Sequence, residues 1–312
     1  MVKKFIFNRL KNTRERFPRL LSIELSSICN ANCIMCPHGE LTRKKQNMPL
    51  PILEKIVNDC KGKPLKKANL FWFGDSLCNR QIIECLRIVR KGLPGVKLYL
   101  STNAGLLTRD LSKSILDENL LDVINFDIDG IRKETFEGIR RKLDFDRVME
   151  NVHFFLDHKK ANNYKKPQTR MTIIKMKPTE NEIDAFVQYW TPLVDHVDVN
   201  KYNTWLGTKE DLNVGAGYEE SRGGKFDFAC IHPWDELVIA ADGIAGLCCL
   251  DYDLQATIGD VTKQSIEAIW KSEVLNDYRS KMLTLDYDAI DVCRNCNAYI
   301  FQKNKTWAKL QR

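Results

Sequence analysis

The chain has 312 residues, 44% of them apolar, and a formal charge of +7, enough for one large domain or a domain of about 200 residues with a smaller companion. No run of about eighteen apolar residues occurs, so no transmembrane helix is expected, and no signature indicates nucleic-acid binding. Eleven cysteines behind a start without the apolar core of an export signal predict a reducing, cytoplasmic setting, where clustered thiols serve metal or redox chemistry.

Residues 1–20 are basic: Lys3, Lys4, Arg9, Lys11, Arg14, Arg16 and Arg19 face only Glu15, with Phe5, Phe7, Leu10 and Phe17 interleaved. This predicts a helix packing its apolar side over one end of the main domain; weak surface contact with a membrane or anionic partner is the alternative. Strands are predicted at 22–27, 68–73, 96–101, 123–128, 169–176 and 194–200. Helices are predicted between them, at 48–60, 81–91, 111–116, 145–159 and 180–190. Six alternating units imply an α/β fold with a parallel sheet and right-handed crossovers, an open partial (β/α)6 barrel spanning 21–206. In such folds the loops after the strands collect on one face and carry the site.

Residues 207–224 are glycine-rich and charged, so 207–229 reads as a linker. Residues 230–312 then form a small α+β unit, with a hairpin turning at Asp242-Gly243 and two short helices at 265–270 and 274–282.

Cys29, Cys33 and Cys36 follow the first strand at i, i+4 and i+7, and no other cysteine occurs until Cys60. Clusters are normally held by four cysteines, so three thiolates leave one iron of a [4Fe–4S] cluster open to another ligand. The rival is a zinc knuckle, although structural zinc favours paired units and full coordination. Cys230, Cys248, Cys249, Cys293 and Cys296 form a second set. Four of these could close an auxiliary [4Fe–4S] cluster or a Cys₄ zinc site. Adjacent strand residues point to opposite faces, so one of Cys248 and Cys249 ligates; Cys248 is favoured and Cys249 left free. Cys60, Cys78 and Cys85 read as small buried hydrophobes, and His38 and His232 as packing or hydrogen-bonding histidines.

These residues resemble the radical S-adenosylmethionine (radical SAM) enzymes. The pattern Cys230…Pro233-Trp234…Asp242-Gly243…Cys248-Cys249…Ile258-Gly259-Asp260…Ile269-Trp270…Cys293-xx-Cys296 resembles their SPASM/twitch group. With four ligating cysteines there, the chain is similar to members with one auxiliary cluster, the aminocyclitol dehydrogenase of antibiotic biosynthesis among them, rather than to the two-cluster sulfatase-maturing enzymes. The resemblance implies that SAM chelates the open iron, and that one-electron reduction yields a 5′-deoxyadenosyl radical which abstracts a substrate hydrogen. It places Gly74, Asp75 and Ser76 at the SAM amino group, although this chain has Phe-Gly-Asp-Ser where the family has Gly-Gly-Glu-Pro. Ser101 and Asn103 lie at the strand-end Thr-Asn, Asp127 where a Ser is common, Arg140 at the SAM carboxylate and Met35 beside the adenine.

The implied activity is oxidation of a hydroxyl-bearing carbon on a small sugar-like or aminocyclitol-like molecule. The auxiliary cluster would take the second electron, and a flavodoxin or ferredoxin would be the external reductant. Lys201, Tyr202 and Trp205 are candidate substrate contacts. Three alternatives remain: an epimerase with Cys249 as hydrogen-atom donor; a peptide maturase, weakened by the shortness of residues 1–20 as a leader-binding domain; and a zinc or cluster protein without chemistry.

Overall fold

A computed structural model describes residues 2–206, 226–302 and 305–311. Most of the predicted linker, 207–225, lies outside the described residues. The six predicted strands are present as β1 (Leu20–Ile23), β3 (Lys67–Asn69), β4 (Lys97–Thr102), β5 (Val123–Asp127), β7 (Gln168–Lys175) and β8 (His196–Lys201), all parallel. A short antiparallel pair, β2 (Asn32–Cys33) with β6 (Arg140–Arg141), stands apart from them.

The helices between the strands are α2 (Leu50–Cys60), α3 (Ile82–Gly92), α4 (Arg109–Asp117), α5 (Lys133–Ile139), α6 (Phe145–Ala161) and α7 (Ile183–Trp190). Their apolar stripes face the sheet: Ile82, Cys85, Leu86 and Val89 of α3, at i, i+3, i+4 and i+7, are all buried. Thr108 caps α4 by accepting from Leu111 N, and Asp144 caps α6 by accepting from Arg147 N, which satisfies donors that a helix start leaves free. Cys60 and Cys85 are buried as expected, while Cys78 is half-buried, its sulfur 3.9 Å from Asn30 Oδ1.

The sequence predicts the C-terminal hairpin in a unit of its own; the structure adds its strands to the barrel sheet. β9 (Glu236–Ile239) pairs in parallel with β1 from Leu20↔Glu236 to Ile23↔Ile239, and β10 (Ile244–Gly246) and β11 (Thr257–Asp260) follow antiparallel. The sheet order is therefore β11-β10-β9-β1-β3-β4-β5-β7-β8. The reason lies in burial. All four residues of β9 are buried, the pattern of a strand inside a sheet covered on both faces. The hairpin closes with Gly243 N–H donating to Ala240 O, and Gly243 takes φ +93°, a conformation that favours glycine.

The basic N-terminal segment forms helix α1 (Val2–Arg14), which packs against the helix Thr306–Gln311. Phe7 lies 4.7 Å from the Trp307 ring, Arg14 pairs with Asp235, and Trp234 Nε1 donates to Glu15 Oε1 at 3.1 Å. The segment is a helix with an apolar side, as expected, but that side packs against the C-terminal part of the chain rather than the barrel, and Phe5 stays exposed.

At the end of β1, Glu24 joins three parts of the chain. Its side chain is 0% exposed and accepts from Arg43 Nη1 and Nη2, both at 2.6 Å, from Phe73 N at 3.2 Å and from Ala241 N at 3.1 Å. Removing one partner of such a buried pair strands a charge. Arg43→Ala is expected to cost about 3–5 kcal/mol, measured by urea unfolding followed through tryptophan fluorescence. A loss below about 1 kcal/mol, the value of an exposed pair, would remove Glu24 as the anchor.

Candidate active site

The loop after β1 carries the first cysteine set, and β2 and β6 hold it from the far side. Cys33 pairs directly with Arg140 across this short ladder, and Ile34 N donates to Ile139 O at 3.0 Å. Arg140 Nη1 therefore lies 3.8 Å from Cys33 Sγ, while Nη2 donates to buried Asp129 at 2.7 Å. Arg140 Nε is buried and unpartnered. On the near side Asn103 Nδ2 lies 3.8 Å from Cys29 Sγ and donates to Asn30 Oδ1 at 2.9 Å. His38 reaches Ser27 O at 2.9 Å.

Cys29, Cys33 and Cys36 all line one cavity of about 690 Å³. Met35, Gly74, Asp75, Ser101, Asn103, Asp127 and Arg140 line it too. Burial pushes the Cys29 thiol up to about 11 and the Cys36 thiol up to about 12, so these are neutral groups that a bound cation converts to thiolates. Three convergent thiols and a cationic donor beside one of them fit a cluster with one iron left open.

Gly74 is required by a close approach: an added Cβ would lie 2.3 Å from Ser26 O, while Asp75 N donates to Ile28 O at 3.0 Å. This packs the loop after β3 against the cysteine loop. The Asp75 carboxylate accepts from Leu77 N at 2.9 Å, Thr102 Oγ1 at 2.8 Å and Asn103 N at 2.8 Å, which ties that loop to the end of β4. Burial raises the Asp75 pKa against these three donors. Ser76 does not line the cavity. It is fully buried, and its hydroxyl donates to Leu70 O at 2.6 Å. Asp127 accepts from Ser101 Oγ at 2.6 Å and Asn125 Nδ2 at 2.7 Å, and burial lifts it to about 6. Met35 packs with Ile139, Met176 and Tyr202, and Trp205 Nε1 donates to its carbonyl at 2.8 Å. Trp205 also reaches the cavity, whereas Lys201 and Tyr202 line an adjoining groove.

Below these groups the strands turn alternate residues inward: Lys97, Tyr99 and Ser101 from β4, Val123, Asn125 and Asp127 from β5, Arg170, Thr172 and Ile174 from β7. Thr172 Oγ1 donates to Asn125 Oδ1 at 2.7 Å, and Arg170 forks onto Asp198 at 2.6–2.9 Å. Sequence reasoning missed this lining. The available signal was period-2 polarity in parallel strands, which normally read as continuous apolar runs.

Cys230, Cys248, Cys293 and Cys296 line a second, enclosed pocket, and Cys249 does not. The Cys249 sulfur lies within 4.8 Å of Cys248 Sγ and of His232; neighbouring Cys248, burial and Glu236 push the Cys249 thiol up, while Cys249 and His232 favour the Cys248 thiolate. Leu250 N and Ala298 N each point at a pocket sulfur, Cys248 and Cys296, at 3.4 Å. Gln302 Nε2 lies 3.2 Å from Cys230 Sγ. A four-thiol pocket with donors on three of its sulfurs fits an iron–sulfur cluster, whose potential such bonds tune. His232 also lines the pocket and contacts Glu236 at 3.1 Å. Trp72 lines the barrel cavity, and its Nε1 donates to the backbone carbonyl of Cys249, the residue after pocket-lining Cys248, at 2.8 Å.

The profile of the radical SAM superfamily matches residues 23–189. The chain belongs to the radical SAM superfamily. The SPASM iron–sulfur cluster-binding domain matches residues 230–297. A [4Fe–4S] cluster, an auxiliary cluster and SAM are the cofactors these two domains imply. The GTP 3′,8-cyclase of Chlorobaculum tepidum is 29% identical over 138 residues, 43% of this chain and 41% of that one, so the match spans less than half of either. The SAM-dependent 2-deoxy-scyllo-inosamine dehydrogenase of Niallia circulans is 18% identical over 283 residues, covering 89% of this chain and 92% of that one. The crystal structure of BtrN in complex with AdoMet and 2-DOIA shares the fold, with a TM-score of 0.59 at 14% identity over 90% of this chain and 93% of that one. Among the described residues no helix is long and apolar enough to cross a membrane.

The sulfurs of Cys248 and Cys249 and a His232 ring nitrogen lie within 4.8 Å of one another, and of the two cysteines Cys248 lines the pocket. After anaerobic reconstitution, Cys248→Ser is expected to lose the auxiliary cluster, about four irons per chain, with the matching charge-transfer absorbance. Cys249→Ser is expected to keep both. The opposite pattern would reassign the ligand.

Proposed function

We propose that this protein is an oxidoreductase that removes hydrogen from a hydroxyl-bearing carbon of a small polar molecule of the sugar or aminocyclitol type. The observation that carries the reading is a roomy barrel interior lined by hydrogen-bonding side chains and open to the three-cysteine loop above, in a chain that also holds a four-cysteine pocket. When bound, the first cluster with SAM supplies a hydrogen-abstracting radical, and the auxiliary cluster supplies an acceptor for the second electron. The near full-length similarity to a SAM-dependent dehydrogenase supports the same direction.

In this reading Cys29, Cys33 and Cys36 hold the first cluster, and Cys230, Cys248, Cys293 and Cys296 hold the second. Gly74 brings the backbone after β3 close to the cluster loop, where it can receive the SAM amino group. Asp75 is fully engaged by Thr102 and backbone donors, so its carboxylate orients that loop. Ser76 braces the same loop from beneath through Leu70 O. Ser101, Asn103, Asp127 and Arg140 hold the polar parts of SAM, with Arg140 offering an unused Nε, and Met35 gives an apolar contact for the adenine. Residues 21–206 thus carry the radical chemistry and 230–312 the electron acceptor. A flavodoxin or ferredoxin serves as the external reductant, in a cytoplasmic setting that keeps cysteines out of disulfides. Epimerisation through Cys249 has less support, because that thiol lies beside Cys248 and His232 and does not line the barrel cavity.

Anaerobic reconstitution is expected to give about eight irons per chain, two cubanes of four, with 5′-deoxyadenosine released only when reductant is added. Cys249→Ala is expected to convert substrate at the normal rate. Two zinc ions and intact SAM would sink the enzyme reading, and a Cys249→Ala variant that only forms the substrate radical would restore the epimerase.

A further inference from the structure

Of the charged side chains lining the barrel cavity, Asp198 and Arg140 are ion-paired, Asp127 and Asp75 are held by neutral donors, and two lysines have neither kind of partner among the described residues. Asp198 is held by Arg170, Asp127 by Ser101 and Asn125, Asp75 by Thr102 and backbone N–H groups, and Arg140 by Asp129. Lys67 and Lys97 remain, and neither forms an ion pair among the described residues; the opposing charge acting on Lys67 is Glu236. They are the first residues of β3 and β4, at the end of the cavity away from the cysteines, and they pair directly across the two strands. Like charges opposite each other on a sheet repel; in this pairing Lys97 is exposed to solvent at the open end of the barrel and Lys67 is half-buried.

Three further observations bear on it. Lys67 Nζ sits 4.3 Å above the Tyr99 ring, and Tyr99 is itself an inward-facing residue, so the ammonium is held over the cavity wall. Burial, together with the charges of Lys97 and Arg170, pushes the Lys67 pKa down, although Glu236 opposes this. That carboxylate is already committed to His232 and Ser22, at 3.1 Å and 2.5 Å. Lys97 also lines a groove outside the barrel with Arg90, Lys165 and Lys166. The acid there, Asp122, is taken by Arg90 and Lys166. Positive potential therefore continues from the surface to the cavity floor, the arrangement that draws in an anion.

We propose that the barrel floor is an anion site, in which Lys67 and Lys97 hold a phosphate or carboxylate of the substrate while its hydroxyl-bearing carbon points toward the cysteine loop. This rests on the hydrogen-abstraction reading above and narrows its substrate to a polyol phosphate or a sugar acid. An ammonium-bearing molecule would meet Lys67, Lys97 and Arg170 there and be repelled.

The test uses the reconstituted full chain with SAM and without reductant, titrated calorimetrically with glucose 6-phosphate, gluconate, glucose and glucosamine. At least one anion is expected to bind saturably, about tenfold or more tighter than glucose, with glucosamine weakest and added salt weakening only the anions. The two anions distinguish a phosphate site from a carboxylate site. K67M/K97M should lower the preferred anion to the affinity of glucose, and K67R/K97R should keep the preference. Glucose or glucosamine binding as tightly as the anions, a preference unchanged in K67M/K97M, or no saturable anion binding overturns the site. Reductant-dependent 5′-deoxyadenosine release by the wild-type chain is read separately. Its presence without an anion preference removes only the anion site; its absence with the preference intact removes only the reaction.

Discussion

One fully buried carboxylate, Glu24, sets the relation between the parts of this protein. It stands one residue past β1 and accepts from the segment behind the cysteine loop through Arg43, from the loop after β3 through Phe73 N, and from the C-terminal hairpin through Ala241 N. A charge taken out of water needs such complete coordination, because its desolvation cost is otherwise unopposed. The consequence is geometric. The two loops that would surround SAM and the hairpin that leads to the second cysteine set are drawn to one point, and none can shift without uncovering the charge.

The barrel interior follows a different rule from its exterior. Residues facing the helices, such as Leu98, Leu100, Ile124 and Phe126, are fully buried and apolar. The alternate positions facing inward carry hydroxyls, amides and charges that satisfy one another across β4, β5 and β7. A barrel interior is ordinarily filled by branched apolar side chains; here polar groups leave it open. Buried polar groups of this kind are tolerated only when they are paired, and most of them are. The unmatched Lys67 and Lys97 stand out because the rest of the lining is so well satisfied.

Between the two cysteine sites the contacts are aromatic. Trp72 and Phe73 meet at 5.0 Å, and Phe73 meets Trp205 at 5.1 Å and Tyr252 at 5.9 Å. Arg43, already held by Glu24, lies 4.8 Å over the Trp72 ring. The anchor that joins the chain segments therefore also fixes an indole of the barrel cavity that reaches the Cys249 carbonyl. A cation held over an aromatic face and a buried ion pair through the same guanidinium reinforce each other's geometry.

Much of this was legible in the chain itself. Apolar runs and helical stripes located all six barrel strands to within a few residues, and three cysteines at i, i+4 and i+7 with none nearby specified a cluster with an open iron. What escaped was short or non-local. β2 and β6 span two residues each, too few to show a period, yet they deliver Arg140 to Cys33. The helix α5 and strand β11 were also unforeseen. Ser76 sits in the expected loop, but its hydroxyl turns to Leu70 O rather than to the cavity. Local pattern and residue type determined the strands, the helices and the kind of metal chemistry, because both depend on neighbours along the chain. The tertiary structure alone decided that the hairpin joins the barrel sheet and that two lysines lie side by side at the end of the cavity, while the pocket lining agrees with the sequence in taking Cys248 rather than Cys249. Those outcomes depend on which strand edge is free and which side chains meet across it, and pairings between residues as far apart as Glu24 and Ala241 leave no periodic trace in the sequence.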